Sequence, residues 1–201
     1  MTWGQHPAFA PFGWDDLVVE LYLPDRAEIL AVASRAQLTN PHPDAKGRLE
    51  QKVRQPPGDW ELRASYTVPG LVWTVESDTC ATGRPNAPRN VAHDAFYREF
   101  VYRQPANEAE LVAVMSADSE EVFSCYRFDG LERWTIPSLD AWFNITHDLV
   151  IGWLRHQLLT QTDRDLVEGL SDACDYLTSA EYRGYVGALR AALSAKSAHL
   201  R

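Results

Sequence analysis

The residue pattern after Pro137 constrains the fold more than any other feature of this sequence. Ser138 is placed to cap a helix of about twenty residues that ends near Thr160. Two further helices are predicted by pairs that resemble capping boxes, Thr162 with Asp165 and Thr178 with Glu181. Because the link between these two helices is short, we expect them to form an antiparallel hairpin.

Apolar residues in the last two predicted helices recur every three or four positions, which is the spacing of one helix face. In the second helix they are Leu166, Leu170, Ala173, Cys174 and Leu177. In the third helix they are Tyr182, Tyr185, Val186, Leu189 and Leu193. Each set is wide enough to cover a core, so we expect both helices to be buried on these faces.

Before Pro137 the pattern favours strands. Residues 60–68, WELRASYTV, alternate apolar and polar side chains, which is typical of a half-buried antiparallel strand. A turn at Pro69-Gly70 would return the chain through a partner strand at 71–76. Further strands are predicted at 17–23, 96–102 and 122–128, short helices at 26–38 and 107–115, and polar loops at 39–58 and 78–95.

Strands first and helices last predict an α+β fold. We expect a single domain, residues 1–201. A mostly antiparallel sheet in the β-rich part, 1–136, would pack against a group of about three helices in 137–201.

The formal net charge of −9 argues against binding to nucleic acid or to an anionic membrane surface, since both need a basic face. The three cysteines form no CxxC pair, which favours reduced thiols in a cytosol. Neither a secretory signal pattern nor an apolar run of membrane-spanning length is evident. The sequence therefore predicts a soluble, cytoplasmic protein with no nucleic-acid or membrane partner.

The second C-terminal helix carries a stripe of like charge. Asp165, Glu168, Asp172 and Asp175 fall within about 80° on a helical wheel, opposite the apolar face. Residues 104–201 contain 15 acidic and 8 basic residues, so most of the net charge lies in this half. The stripe predicts a surface for a basic protein partner, and the alternative is the solvated face of an amphipathic helix.

No GxSxG nucleophile motif and no Walker lysine are present. We therefore expect a non-catalytic protein-binding protein, such as an inhibitor or immunity-type protein, without cofactor or metal. Its acidic helical face would neutralise the basic partner.

The alternative is a small enzyme or ligand-binding domain, with a pocket between sheet and helices bordered by the 78–95 loop. Arg84, Arg89 and His93 in that loop could bind an anion. Two His-Asp dipeptides, at 93–94 and 147–148, make a metal-dependent hydrolase the enzyme class to consider. His147 lies at the edge of an apolar helix face, however, and we expect it to be structural.

Overall fold

A computed structural model describes residues 20–39, 41–56, 58–76, 81–121, 123 and 125–199. Over these residues, 60% of the chain is helical and only 8% is strand. The prediction of a sheet-dominated N-terminal two-thirds packed against three helices is therefore wrong. Helices run through both parts of the chain.

The helices, in chain order, are α1 (Arg26–Arg35), α2 (Ala45–Arg54), α3 (Gly83–Asn86), α4 (Glu108–Glu120), α5 (Gly130–Arg133), α6 (Ile136–Ala141), α7 (His147–Thr160), α8 (Arg164–Thr178) and α9 (Ala180–His199). A short 3-10 helix spans Trp60–Leu62, and a π-helical turn, Trp142–Thr146, joins α6 to α7. The predicted helix ending near Thr160 thus exists, with a widened turn in its first half.

The strands are short and form two separate antiparallel pairs among the described residues. They are β1 (Trp73–Thr74), β2 (Val91–His93), β3 (Glu99–Val101) and β4 (Tyr126–Arg127). β1 pairs with β4, and β2 pairs with β3. Parts of the predicted strands at 71–76, 96–102 and 122–128 are therefore present. Among the described residues, the predicted pairing of 60–68 with 71–76 is reduced to a single antiparallel bridge between Arg63 and Val75, and β1 pairs with β4 instead.

The predicted strand at 60–68 is not formed, because tertiary contacts bend this segment. The ring of Trp60 makes edge-to-face contacts with Trp73 and Trp134, at centroid distances of 5.0 and 5.2 Å. Thr67, predicted to face solvent, is buried and its hydroxyl lies 3.0 Å from that of Thr74. Leu62, predicted to face inward, is exposed. The alternation in the sequence thus does not correspond to two faces of a strand.

Both predicted loops contain regular structure. Residues 39–58 include α2, which buries Ala45, Leu49 and Val53 at four-residue spacing. Residues 78–95 include α3 and β2. Of the predicted strand at 17–23, residues 20–23 are not in a strand, and residues 17–19 lie outside the described residues.

The C-terminal helices begin close to their predicted positions. Thr135 and Ser138 form the capping box of α6. The side chain of Asp163 caps α8, and Ser179 Oγ accepts a hydrogen bond from the Tyr182 amide at the start of α9. The predicted helices α8 and α9 and their apolar faces are therefore confirmed, but Ser138, Thr162 and Thr178 are not the N-caps that the sequence suggested.

The hairpin of β2 and β3 separates two hydrophobic clusters. Ala92 and Phe100 face a cluster built mainly from α7, α8 and α9, whereas Val91 and Val101 face one built from α1, α2 and α4. Successive strand residues point to opposite faces, so this short hairpin contributes to both cores. Its position brings the 81–93 segment against α8.

Candidate functional site on helix α8

The orientation of α8 follows from its apolar stripe. Seven of its residues are buried: Leu166, Gly169, Leu170, Ala173, Cys174, Tyr176 and Leu177. Asp163 Oδ1 accepts a hydrogen bond from the Leu166 amide at 3.0 Å, which fixes the start of the helix. The opposite face carries the acidic stripe, defined here as Asp165, Glu168, Asp172 and Asp175, and all four residues are exposed.

One arginine from a distant part of the chain contacts this stripe. Arg84 extends from α3, and its Nη2 atom lies 2.7 Å from Asp172 Oδ2 and 3.6 Å from Glu168 Oε1. The side chain of Arg84 is only 11% exposed. The structure therefore brings one residue of the predicted ligand site, Arg84, against the acidic stripe that the sequence assigned to a different site.

Several contacts fix the position of Arg84. Its Nη1 atom donates a hydrogen bond of 3.0 Å to the Pro88 carbonyl, which also accepts a 2.9 Å bond from the Tyr102 hydroxyl. Burial raises the pKa of Tyr102 to about 12, so this hydroxyl stays protonated and continues to donate. A Cβ atom on Gly169 would lie 3.1 Å from Arg84 Cδ, so the glycine leaves room for the arginine side chain.

The two ends of the acidic stripe are less neutralised than its middle. Within the described part of the chain, Asp165 and Asp175 form no salt bridge. An open depression of about 680 Å³ lies beside the middle of the stripe, and Glu168 and Asp172 contribute to its lining together with Gln161 and Arg164. The surface thus presents exposed carboxylates next to a shallow concavity.

The other two residues of the predicted ligand site have partners elsewhere. Arg89 is 71% exposed, and its Nη1 atom lies 3.4 Å from Glu110 Oε1 on α4. His93 is buried, with Nδ1 3.0 Å from the Asp94 carbonyl oxygen and its ring stacked on Tyr97. Arg84, Arg89 and His93 therefore each contact a different set of groups.

His147 has the contacts of a structural residue. Its Nε2 atom lies 3.2 Å from the carbonyl oxygen of Leu177, and Nδ1 lies 3.2 Å from Asp148 Oδ1. The imidazole also stacks on Tyr182, with a centroid distance of 5.2 Å. His147 thereby ties α7 to α8 and α9.

Sequence reasoning missed Gly169 as part of this surface. The signal for it was a glycine in the middle of a strongly amphipathic helix, which is unfavourable unless something packs closely against the backbone. Among the described residues, no group of three or more His, Cys, Asp or Glu side chains is arranged to hold a metal ion.

No family model matches this chain, and no curated protein and no solved structure matches it either. No helix within the described ranges is both long enough and apolar enough to cross a bilayer.

Proposed function

We propose that this protein is a non-catalytic protein-binding protein that neutralises a basic partner through the acidic stripe of α8, as an inhibitor or immunity-type protein would. The observation that carries the proposal is the exposure of all four stripe carboxylates on one face of a helix whose other face is buried. Such a surface attracts a basic partner over several ångströms and accelerates its association.

Rigid presentation of the carboxylates supports this proposal. The buried face of α8 belongs to the same core as α7 and α9, so the helix backbone is fixed before a partner arrives. A preformed surface loses less conformational entropy on binding than a mobile one. Clustered like charge also destabilises an isolated helix, and a basic partner would remove that repulsion.

The contact with Arg84 indicates which carboxylates are available to a partner. Asp172 is engaged by the arginine at 2.7 Å, whereas Glu168 is more distant from it. Asp165 and Asp175 lie at the two ends of the stripe. The cations of a partner would therefore bind at Asp165, Glu168 and Asp175, with Asp172 retained as the internal partner of Arg84.

The proposal also places the protein in the cytoplasm. Cys125 and Cys174 are both buried and free. Burial raises the pKa of the Cys125 thiol well above its usual value, which keeps it protonated and unreactive. Unpaired buried thiols of this kind suit a reducing compartment.

A binding experiment with a defined cationic probe tests the proposal. The probe is a fluorescein-labelled peptide of alternating lysine and arginine, titrated with the protein while anisotropy is recorded. The test variant combines Asp165→Asn, Glu168→Gln and Asp175→Asn, and it keeps Asp172 so that Arg84 is not left unpaired. The matched control combines Glu20→Gln, Asp44→Asn and Glu61→Gln, three exposed carboxylates outside α8.

Both variants change the net charge by the same amount, so an effect of overall charge alone would weaken peptide binding equally in both. The proposal predicts that the α8 variant binds the peptide about tenfold more weakly than the wild type, a loss of about 1.4 kcal/mol. The control should remain within about twofold of the wild type. Equal weakening in both variants would contradict a specific role of the acidic stripe.

A further inference from the structure

A mainly apolar stripe runs from the π-helical turn along the outer face of α7, and no residue that the structure describes covers it. We define the α7 stripe as Ile145, Leu149, Gly152, His156 and Leu159, and all five residues are exposed. The opposite face of the helix buries Val150, Ile151 and Leu154 in the core. A helix that is apolar on both sides is generally covered on both sides.

The spacing of this stripe distinguishes it from scattered surface leucines. Its members follow one another at intervals of four, three, four and three residues. This is the repeat of a helix that packs along its length against another helix. Gly152 has open space where a Cβ atom would lie, so a side chain from a second helix can enter there.

Charged residues beside the stripe indicate what kind of helix could pack against it. Asp148 and Arg155 are seven residues apart and therefore lie on the same flank of the stripe. Both are exposed, and within the described part of the chain Arg155 forms no salt bridge. One flank thus carries an exposed base and an exposed acid, although Oδ1 of that acid already contacts His147 Nδ1.

We propose that α7 is a homodimer interface, in which two copies of this chain pair their α7 stripes antiparallel about a twofold axis. An axis that sets Leu149 against Gly152 of the second copy also sets Ile145 against His156, because the midpoint of both pairs lies between Val150 and Ile151. The midpoint of Asp148 and Arg155 lies one residue further on, between Ile151 and Gly152, a shift of only about 1.5 Å along the helix axis. The same axis therefore forms two salt bridges between the copies, one at each end of the contact.

This self-complementary pattern favours a second copy over an unrelated partner. In an isologous interface every contact occurs twice, so one helix must carry both halves of each pair. Helix α7 meets that condition, because it carries both Leu149 and Gly152 and both Asp148 and Arg155. The interface lies on a different helix from the acidic stripe of α8, so it stands independently of the proposed function.

Sedimentation velocity of the full chain over a range of concentrations tests the dimer. The proposal predicts reversible dimerisation, with a large fraction of the protein sedimenting as a dimer at about 100 µM. Leu149→Asp should weaken the dimer at least about tenfold, because it places two carboxylates in the apolar contact. Leu149 is 68% exposed, so folding, followed by thermal melting at low concentration, should be unchanged.

Leu62→Asp is the matched control, since Leu62 is 66% exposed and lies outside α7. Charge exchange adds a test of register: Asp148→Arg and Arg155→Asp should each weaken the dimer, and the double exchange should restore it. A wild-type chain that stays monomeric at about 100 µM would overturn the proposal. Equal loss of the dimer in Leu62→Asp, or no rescue in the double exchange, would overturn it too.

Discussion

The Nη2 atom of Arg84 lies 2.7 Å from Oδ2 of Asp172, a contact between residues 88 positions apart in the chain. It joins the short helix α3 to the exposed face of α8. The contact neutralises the middle of the acidic stripe while leaving its ends charged. Arg84 is thus a structural element of the surface that we propose binds a basic partner.

Replacement of Arg84 by alanine should destabilise the protein. The side chain is almost fully buried and donates hydrogen bonds to Asp172 and to the Pro88 carbonyl, so its loss should cost about 1–3 kcal/mol. Arg89→Ala is the control, because that arginine is largely exposed and its removal should change stability by less than about 0.5 kcal/mol. Urea unfolding of both variants measures the difference, and equal effects would show that Arg84 is not fixed as described.

Gly169→Ala should fail to give the stabilisation that alanine usually brings to a helix. The new Cβ atom would lie 3.1 and 3.2 Å from two side-chain atoms of Arg84, which its partners hold in place. Gly47→Ala in α2 is the matched control, since nothing lies within 4 Å of the Cβ position there. Thermal melting should show a gain of about 1 kcal/mol for Gly47→Ala and a loss for Gly169→Ala. A gain in both variants would contradict the close packing of Arg84 against α8.

Two buried tyrosines should respond differently to removal of the hydroxyl group. Tyr126 Oη donates a 2.5 Å hydrogen bond to Glu99, a buried carboxylate on β3, so Tyr126→Phe should cost about 1.5–3 kcal/mol. The Tyr182 hydroxyl is also buried but has no hydrogen-bond partner among the described residues. Tyr182→Phe should therefore be neutral or stabilising. The prediction fails if urea unfolding gives the two variants the same free energy.

The stabilisation supplied by Glu110 should disappear in acid. Burial by itself raises the pKa of this carboxyl, but hydrogen bonds from the Ala106 amide, Asn90 and Arg103, together with the charge of Arg103, bring the pKa below its usual 4.5. A lowered pKa contributes stability that is present above about pH 4.5 and is lost as pH falls through the folded-state value. Glu110→Gln should therefore be less stable than the wild type near pH 7, with a smaller difference near pH 3.5. If the stability difference between the wild type and Glu110→Gln stayed constant or grew as the pH fell, the charge of Glu110 would not stabilise the fold.

Local signals in the sequence predicted several helices. Asp25 caps α1, because its side chain accepts a hydrogen bond of 2.8 Å from the Glu28 amide, only three residues away. The apolar faces of α8 and α9 were likewise evident from residues within a few turns of one another. Such features depend on sequence neighbours, so they can be inferred without knowledge of the rest of the fold.

Features set by distant residues were not predictable. Trp60 begins an alternating segment that resembles a strand, yet its ring is positioned by Trp73 and Trp134, and the chain bends around these contacts. The helix α2 was missed because its charged and glycine residues obscured the four-residue spacing of its buried side chains. At the candidate site, the exposure of the acidic stripe agrees with the helical wheel. The approach of Arg84 to that stripe depends on tertiary structure alone.

The rate at which the cationic peptide associates, measured by stopped-flow fluorescence as salt is varied, tests the central claim about α8 most directly. For the wild type, the rate should fall steeply as salt rises, because screening shortens the reach of the acidic stripe. The variant Asp165→Asn, Glu168→Gln, Asp175→Asn should associate about tenfold more slowly at low salt, and the difference should vanish near about 0.5 M salt. An unchanged association rate in this variant, with the same salt dependence as the wild type, would contradict the claim that the stripe binds a basic partner.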